Sequence, residues 1–399
     1  MEPAFSSGFR NPPEGAAALG HAGGKLTLTD DASLLSHNPA GLAWQDRTEV
    51  LASLTMVDGG AEFKSAVPPF DHVETRNDPA WLPALYAVAA LSDGRYAAGI
   101  GLSSPYGQST EWSQDSLFRY AAPYRAELRT LEVSPAFALQ LTDTFSLGLA
   151  ADLLFSDFTL RQIFPWSQAV GIPLLPDGEA RFDAEGAGVS GHAGLQWKCS
   201  PRQVLGLVYR APVDIDYDGD FSVSGLPAGF PLPSSSDFDT TIRFPSVIAA
   251  GYGFQATDTL RLGADVEWIE FSRYDRLILD AGVLNSLLPQ TTIPQQWEDS
   301  WTLGVGADWR VTENWVLRGG YLFIESPIPS PTLAPTLPDA DRHVVSLGTG
   351  YTWNHHRFDV AYAYSFFEDR NVTSSPQPLF NGSYELCSQL LGFSYGYTF

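Results

Sequence analysis

The chain has 399 residues, of which 17% are charged and 13% aromatic, and carries a net charge of −23. That balance excludes a nucleic-acid partner, which needs a basic face, and no run of 18 apolar residues exists to form a membrane helix. Few charges, many aromatics and no apolar run fit a membrane β-barrel, whose lipid-facing and lumen-facing residues alternate. The acids are expected in solvated loops.

No charged-then-apolar leader opens the chain, which reads as a mature form with Met1 added. Residues 1–43 then read as a unit of their own. Gly20 to Leu42 is small and turn-rich, with Gly20, Gly23 and Gly24, then Asp30-Asp31, then Asn38-Pro39-Ala40-Gly41. Asp30 or Asp31 is expected to cap one short helical turn through Ser36, and Pro39 biases Asn38 away from helix. Such a segment has too little apolar surface to fold alone and needs a container.

From residue 44 to 399 the pattern becomes period-two alternation. Leu260, Leu262, Ala264, Val266 and Trp268 alternate with Arg261, Gly263, Asp265 and Glu267. Trp301 to Arg310 and Leu391 to Phe399 behave alike, with one large apolar face and one small or polar face. About 14 strands are predicted. They lie near 48–57, 81–91, 95–104, 124–141, 145–163, 185–198, 203–223, 240–255, 259–279, 296–310, 315–323, 343–353, 357–368 and 385–399. The connections alternate in length. Short turns at Ser92-Asp93-Gly94, Thr142 to Thr144, Cys199 to Arg202, Ala256 to Asp258, Val311 to Asn314 and Asn354 to His356 separate long loops. An outer-membrane barrel, with short periplasmic turns and long extracellular loops, predicts that order. Trp197, Trp309, Trp315 and Trp353 flank short turns, while Trp81, Trp112, Trp166, Trp297 and Trp301 lie near long loops, as two interfacial belts would place them. Phe399 ends the last alternating strand, a terminal signal for the barrel-assembly machinery.

The expected fold is therefore all-β, a transmembrane antiparallel barrel of about 14 strands. Its bore is wider than side chains can fill, since ~8 strands already reach that limit. Only the leading residues are free to stop it, as an N-terminal hatch. Cys199 and Cys387 fall near opposite ends, roughly 25 Å or more apart, so both are expected as free thiols.

Leu19-Gly20, Asp30-Asp31-Ala32 and Asn38-Pro39-Ala40 resemble the hatch of the FadL/TodX outer-membrane transport proteins. The resemblance continues through Pro105-Tyr106-Gly107 with Thr110-Glu111-Trp112, Tyr209-Arg210, Phe244-Pro245, Asn314-Trp315, Ser326-Pro327 and Asp341-Arg342, in the family's order. It implies passive uptake of fatty acids or other hydrophobic compounds across the outer membrane. By position it implies a loop groove from Phe164, Trp166, Val170, Ile172, Leu174 and Leu175 with Leu226, Phe230 and Leu232. It also implies a deeper pocket at Phe9, a hatch formed with Gly8, Asn38, Pro39 and Ala40, and a lateral gap at a third-strand kink, Pro105-Tyr106-Gly107. Pro cannot donate to a ladder and Gly weakens a strand, so a break there is physically reasonable.

The apolar loops are also compatible with a self-packed lid core. With three lysines in all, only arginines such as Arg161 and Arg318 are candidates to meet a cargo carboxylate. No cofactor or metal ligand set is read. An outer-membrane hydrolase lacks support for want of a nucleophile elbow, and a porin for want of an open bore. Expected partners are the hydrophobic cargo, outer-membrane lipid and lipopolysaccharide, around a monomer.

Overall fold

The computed structural model describes residues 8–68, 72–76, 78–91 and 95–399. The predicted turn Ser92-Asp93-Gly94 lies outside them. Fourteen antiparallel strands form one closed ring: β1 (Glu49–Ser65), β2 (Ala80–Leu91), β3 (Tyr96–Ser103, then Gly107–Glu111), β4 (Arg125–Gln140), β5 (Phe145–Phe164), β6 (Gly178–Ser200), β7 (Gln203–Arg210, then Val213–Val223), β8 (Ser235–Phe244, then Val247–Gln255), β9 (Leu260–Ile269), β10 (Ser300–Arg310), β11 (Trp315–Ile324), β12 (Arg342–Trp353), β13 (His356–Phe367) and β14 (Gly382–Thr398). The β1–β14 ladder, from Glu49↔Thr398 to Ser65↔Gly382, closes it. In lipid every backbone polar group must pair internally, so closure is what makes the sheet tolerable.

The outer face is apolar through the membrane zone. Leu149, Leu153, Phe155, Leu205, Leu207, Tyr209, Ile248, Leu303 and Val305 all point outward and exposed. Above the breaks in β7 and β8 the same face turns acidic, with Asp214, Asp216, Asp218 and Asp220 set beside Asp237 and Asp239. The inner face of that upper region remains apolar, through Phe158, Phe182, Ile215, Tyr217, Phe221 and Phe238. The wall therefore projects beyond the lipid as a sleeve, greasy inside and charged outside.

Several predicted strands differ from the observed ones for this reason. β1, β6 and β14 run further up the sleeve than the membrane-length pattern indicated. β9 is shorter: alternation past Ile269 belongs to a connection in which Phe271 turns inward. The tryptophan belts are also only partly as expected. Trp81, Trp197, Trp301, Trp309, Trp315 and Trp353 are exposed on the wall, but Trp112, Trp166 and Trp297 are buried inside. Cys199 and Cys387 are both free.

Residues 8–44 lie against the inner face. Three short helices, α1 (Ala16–His21), α2 (Lys25–Leu28) and α3 (Leu34–His37), precede a 3-10 turn, Pro39–Trp44. Gly15 and Gly24, at φ 88° and 83°, interrupt the helical path. Asp31 Oδ1 accepts the Ser33 N–H at 3.0 Å just ahead of α3, as a local cap. The wall meets this backbone with glycines. A Cβ on Gly306 or Gly320 would lie 2.2 or 1.9 Å from the His21 carbonyl oxygen, and one on Gly148 2.3 Å from the Ala40 nitrogen.

Candidate functional site

At the extracellular end the long connections enclose a cavity of about 520 Å³. Phe164 lines it, with Tyr120, Phe182, Leu288 and Ile293. The other proposed groove residues divide. Trp166 is buried, its ring 4.7 Å from Phe164 and 5.0 Å from Phe230, and its Nε1 donates to the Ser224 carbonyl at 2.7 Å. Val170, Leu175, Leu226, Phe230 and Leu232 pack half-buried on the core as lid filling. Ile172 and Leu174 sit exposed at the loop tip, Leu174 at 99%. The two-loop groove is thus corrected: Leu287, Leu288 and Ile293, from the 270–299 connection, form the opposite wall. Those residues carried no sequence signal beyond a short apolar run beside a proline.

Below the groove the apolar sleeve leads to Phe9. Its ring is surrounded by Phe244 (5.0 Å between centroids), Trp297 (5.1 Å), Phe271 and Tyr274 (5.6 Å each) and Tyr106 (6.1 Å). Phe271, Tyr274 and Trp297 were missed in sequence because they read as strand or belt residues. Gly8, at φ 56°, lets the chain pass Trp297, where a Cβ would approach the indole to 2.6 Å. The Gly8 N–H donates to Asp339 Oδ2 at 3.1 Å, and Ser326 Oγ to the same oxygen at 2.9 Å. Burial raises the Asp339 carboxyl to about 6 against the pull of Arg342.

Beside the cage the wall is interrupted. β2 pairs with β3 only from Leu85↔Leu102 to Leu91↔Tyr96, so Ala80 to Ala84 face no ladder on that side. β3 itself breaks at Ser104-Pro105-Tyr106. Three residues there stand opposite the two between Arg129 and Glu132, an inserted residue that bends the strand. The result is a cavity of about 390 Å³ in the wall, lined by Trp81, Pro83, Tyr106, Leu131 and Phe155. Thr130 Oγ1 accepts the Tyr106 N–H at 3.1 Å and donates to its carbonyl. The rest of the kink is satisfied by the N-terminal chain. Gly107 N–H donates to the Phe9 carbonyl (2.8 Å), Asn11 N–H to Pro105 O (2.9 Å) and Asn11 Nδ2 to Ser104 O (2.8 Å). Residues 9–11 thus stand in for a strand partner.

Asn38, Pro39 and Ala40 lie elsewhere. Asn38 Oδ1 accepts the Ala40 N–H (3.2 Å), its Nδ2 donates to Leu195 O (3.2 Å), and Ser146 Oγ donates to Ala40 O (2.8 Å). They anchor the inner segment to β5 and β6, far in sequence and contact from the kink. Charge pairs fix the rest. Glu267 takes both Arg10 (2.6 Å) and Lys25 (2.9 Å), and Asp30 takes Arg261 and Arg357 (2.8 Å each). Arg318 is spent on Asp359 at 2.7 Å, and Arg161 lies 3.9 Å from Glu179 at the sleeve rim. Neither lies in the Phe9 cage, a correction to their candidacy as cargo cations.

The chain matches the family described as outer membrane protein transport protein (OMPP1/FadL/TodX) over residues 2–399. It belongs to that family. A long-chain fatty acid transport protein of Salmonella typhi is 23% identical over 99% of this chain and 95% of its own. A Pseudomonas aeruginosa FadL homologue superposes with a TM-score of 0.85 at 22% identity, covering 98% of this chain and 99% of that one. The Ralstonia pickettii toluene transporter TbuX gives 0.73 at 17% identity, covering 99% and 100%. This FadL/TodX chain is accordingly an outer-membrane transport barrel and not an enzyme. The letters G-x-S-x-G do occur, at Gly392 to Gly396, but inside straight β14. There Ser394 Oγ donates to Ser53 and accepts the Ala16 N–H, both at 2.8 Å, so no nucleophile elbow forms.

Proposed function

We propose that this protein carries hydrophobic small molecules passively from the extracellular groove to the Phe9 cage and out through the wall between β2 and β3. What supports this most is a shared segment: the residue filling the cage and the backbone sealing the kink are neighbours. A cargo that takes the place of Phe9 lifts residues 9–11, which removes the Gly107 and Asn11 bonds and leaves the kink open toward lipid.

The energetics suit exchange. Burying a phenyl side chain stabilises by about 1.5–3 kcal/mol, and a cargo losing ~100 Å² of apolar surface gains about 2.5 kcal/mol. Replacing one by the other is nearly neutral, so the site need not trap what it carries. No external energy source is required.

In this reading residues 1–43 are the hatch and 44–399 the barrel. Gly8 and Phe9 act as the moving part, with Pro105, Tyr106 and Gly107 as the gate. Asn38, Pro39 and Ala40 hold the hatch in place. Both fatty acids and hydrocarbons, named for the relatives, suit the apolar path. The barrel works as a monomer among lipid and lipopolysaccharide. The test is to delete Pro105 and replace Tyr106 by Val, restoring a regular β3. Uptake of a hydrophobic probe into cells should fall ~10-fold or more, as for a lost gate; uptake unchanged at equal surface expression rejects lateral exit.

A further inference from the structure

Three buried tryptophans stand in the sleeve and its connections, and two of them spend their indole N–H on oxygen. Trp112 Nε1 donates to the Pro335 carbonyl at 2.8 Å and Trp166 Nε1 to the Ser224 carbonyl at 2.7 Å. The third does not. Trp297 is 3% exposed, and among the described residues its Nε1 has no hydrogen-bond partner. Around it stand rings: Phe9 stacked at 5.1 Å, Tyr274 edge-on at 4.8 Å and Phe271 edge-on at 5.5 Å. An aromatic face is a second-order acceptor beside an oxygen. A buried donor without a partner is rare and costs free energy, so it calls for a physical explanation.

The position supplies one. Phe9 fills the cage with a phenyl ring, which has the shape of an apolar cargo but offers no oxygen. If Phe9 is the stand-in and the cargo the true occupant, the donor is unsatisfied only while the stand-in is present. We propose that Trp297 Nε1 is a specificity-determining donor, and that the cage takes an apolar molecule bearing a hydrogen-bond-accepting oxygen, of the aryl or alkyl carbonyl class. This rests on the cage being the cargo site. It goes further by ranking oxygen-bearing cargo above bare hydrocarbon of the same shape. A site built to hydrogen-bond a ligand disfavours the analogue that leaves its buried group unpaired.

The probes are acetophenone and α-methylstyrene, which differ by a carbonyl oxygen in place of a methylene. Binding is measured on the full chain in lipid nanodiscs by titrating the ¹⁵N-indole spectrum. The Trp297 resonance is assigned by its loss in Trp297→Phe. Acetophenone should bind about 5-fold more tightly, as one neutral hydrogen bond predicts, and move the Trp297 N–H downfield. α-Methylstyrene should bind without that shift. The preference should vanish in Trp297→Phe and in a variant carrying benzothienylalanine at 297, which keeps the indole shape without the N–H. Equal affinities, or a preference that survives both variants, would overturn the donor role while leaving the cage as a binding site. Failure of both probes to perturb the cage resonances, or to compete with Phe9, would overturn the cage reading itself, and the donor role with it.

Discussion

The N-terminal segment contains two regions held in opposite ways. From Gly15 to Trp44 it is pressed against the wall, backbone on glycine, with its charges paired to β9 and β13. From Gly8 to Asn11 it hangs on one aromatic ring, one ion pair, a contact with Asp339 and three hydrogen bonds to the kink. The first region is over-determined; the second is held by a handful of contacts. In the proposed reading a plug and a latch are built from one continuous stretch, and the change from one to the other falls between Asn11 and Gly15.

The largest break in that contrast should come from Glu267→Gln. It leaves buried Lys25 and half-buried Arg10 without their shared carboxylate, a loss of about 3–5 kcal/mol. Latch and plug should loosen together, seen as new ion conductance in planar bilayers and a lower unfolding temperature.

Acidity should act through Asp339, beside the latch. The Asp339 carboxyl, at about 6 in the folded chain against 3.8 unperturbed, binds its proton more tightly when folded. Its contribution is fully present below about pH 3.8 and lost as pH rises through 6, a change of roughly 3 kcal/mol at 1.36 per unit. The unfolding temperature should therefore fall between pH 4 and 7, and Asp339→Asn should flatten that profile.

Gly320→Ala should strike the plug alone. Its Cβ would meet the His21 carbonyl at 1.9 Å, and overpacking of this kind costs about 1–3 kcal/mol. Conductance should rise with the Phe9 cage intact by indole spectroscopy. The smallest effect is expected far from both regions: Leu174→Ser, at the exposed tip, should change uptake by less than about two-fold, since a solvated side chain loses little on substitution.

The barrel was legible because lipid imposes one rule on every strand, and Leu260 to Trp268 or Leu391 to Phe399 obey it without interruption. Phe9 and the Pro105 kink were reached through family resemblance plus proline chemistry, which marks a missing donor directly. The other cage walls were not. Phe271 continues the β9 alternation until the chain turns inward, and Trp297 sits where an interfacial tryptophan also would; one residue's environment is set by a connection folding back, which no local period encodes. Likewise Trp166 and Phe230 were apolar loop residues in either reading, and only their mutual packing shows them to be lid filling and not groove. Asn38-Pro39-Ala40 was legible as a motif but not as an anchor, because its partners, Leu195 and Ser146, come from more than 100 residues away.

Hydrogen–deuterium exchange on the protein in lipid nanodiscs, with and without a saturating hydrophobic probe, addresses the latch and the plug in one experiment. Cargo should release the amides of Asn11 and Gly107 while those of Leu28, Asn38 and Gly41 stay protected. Release of both sets together, or of neither while transport proceeds, would contradict a latch that opens on a plug that stays.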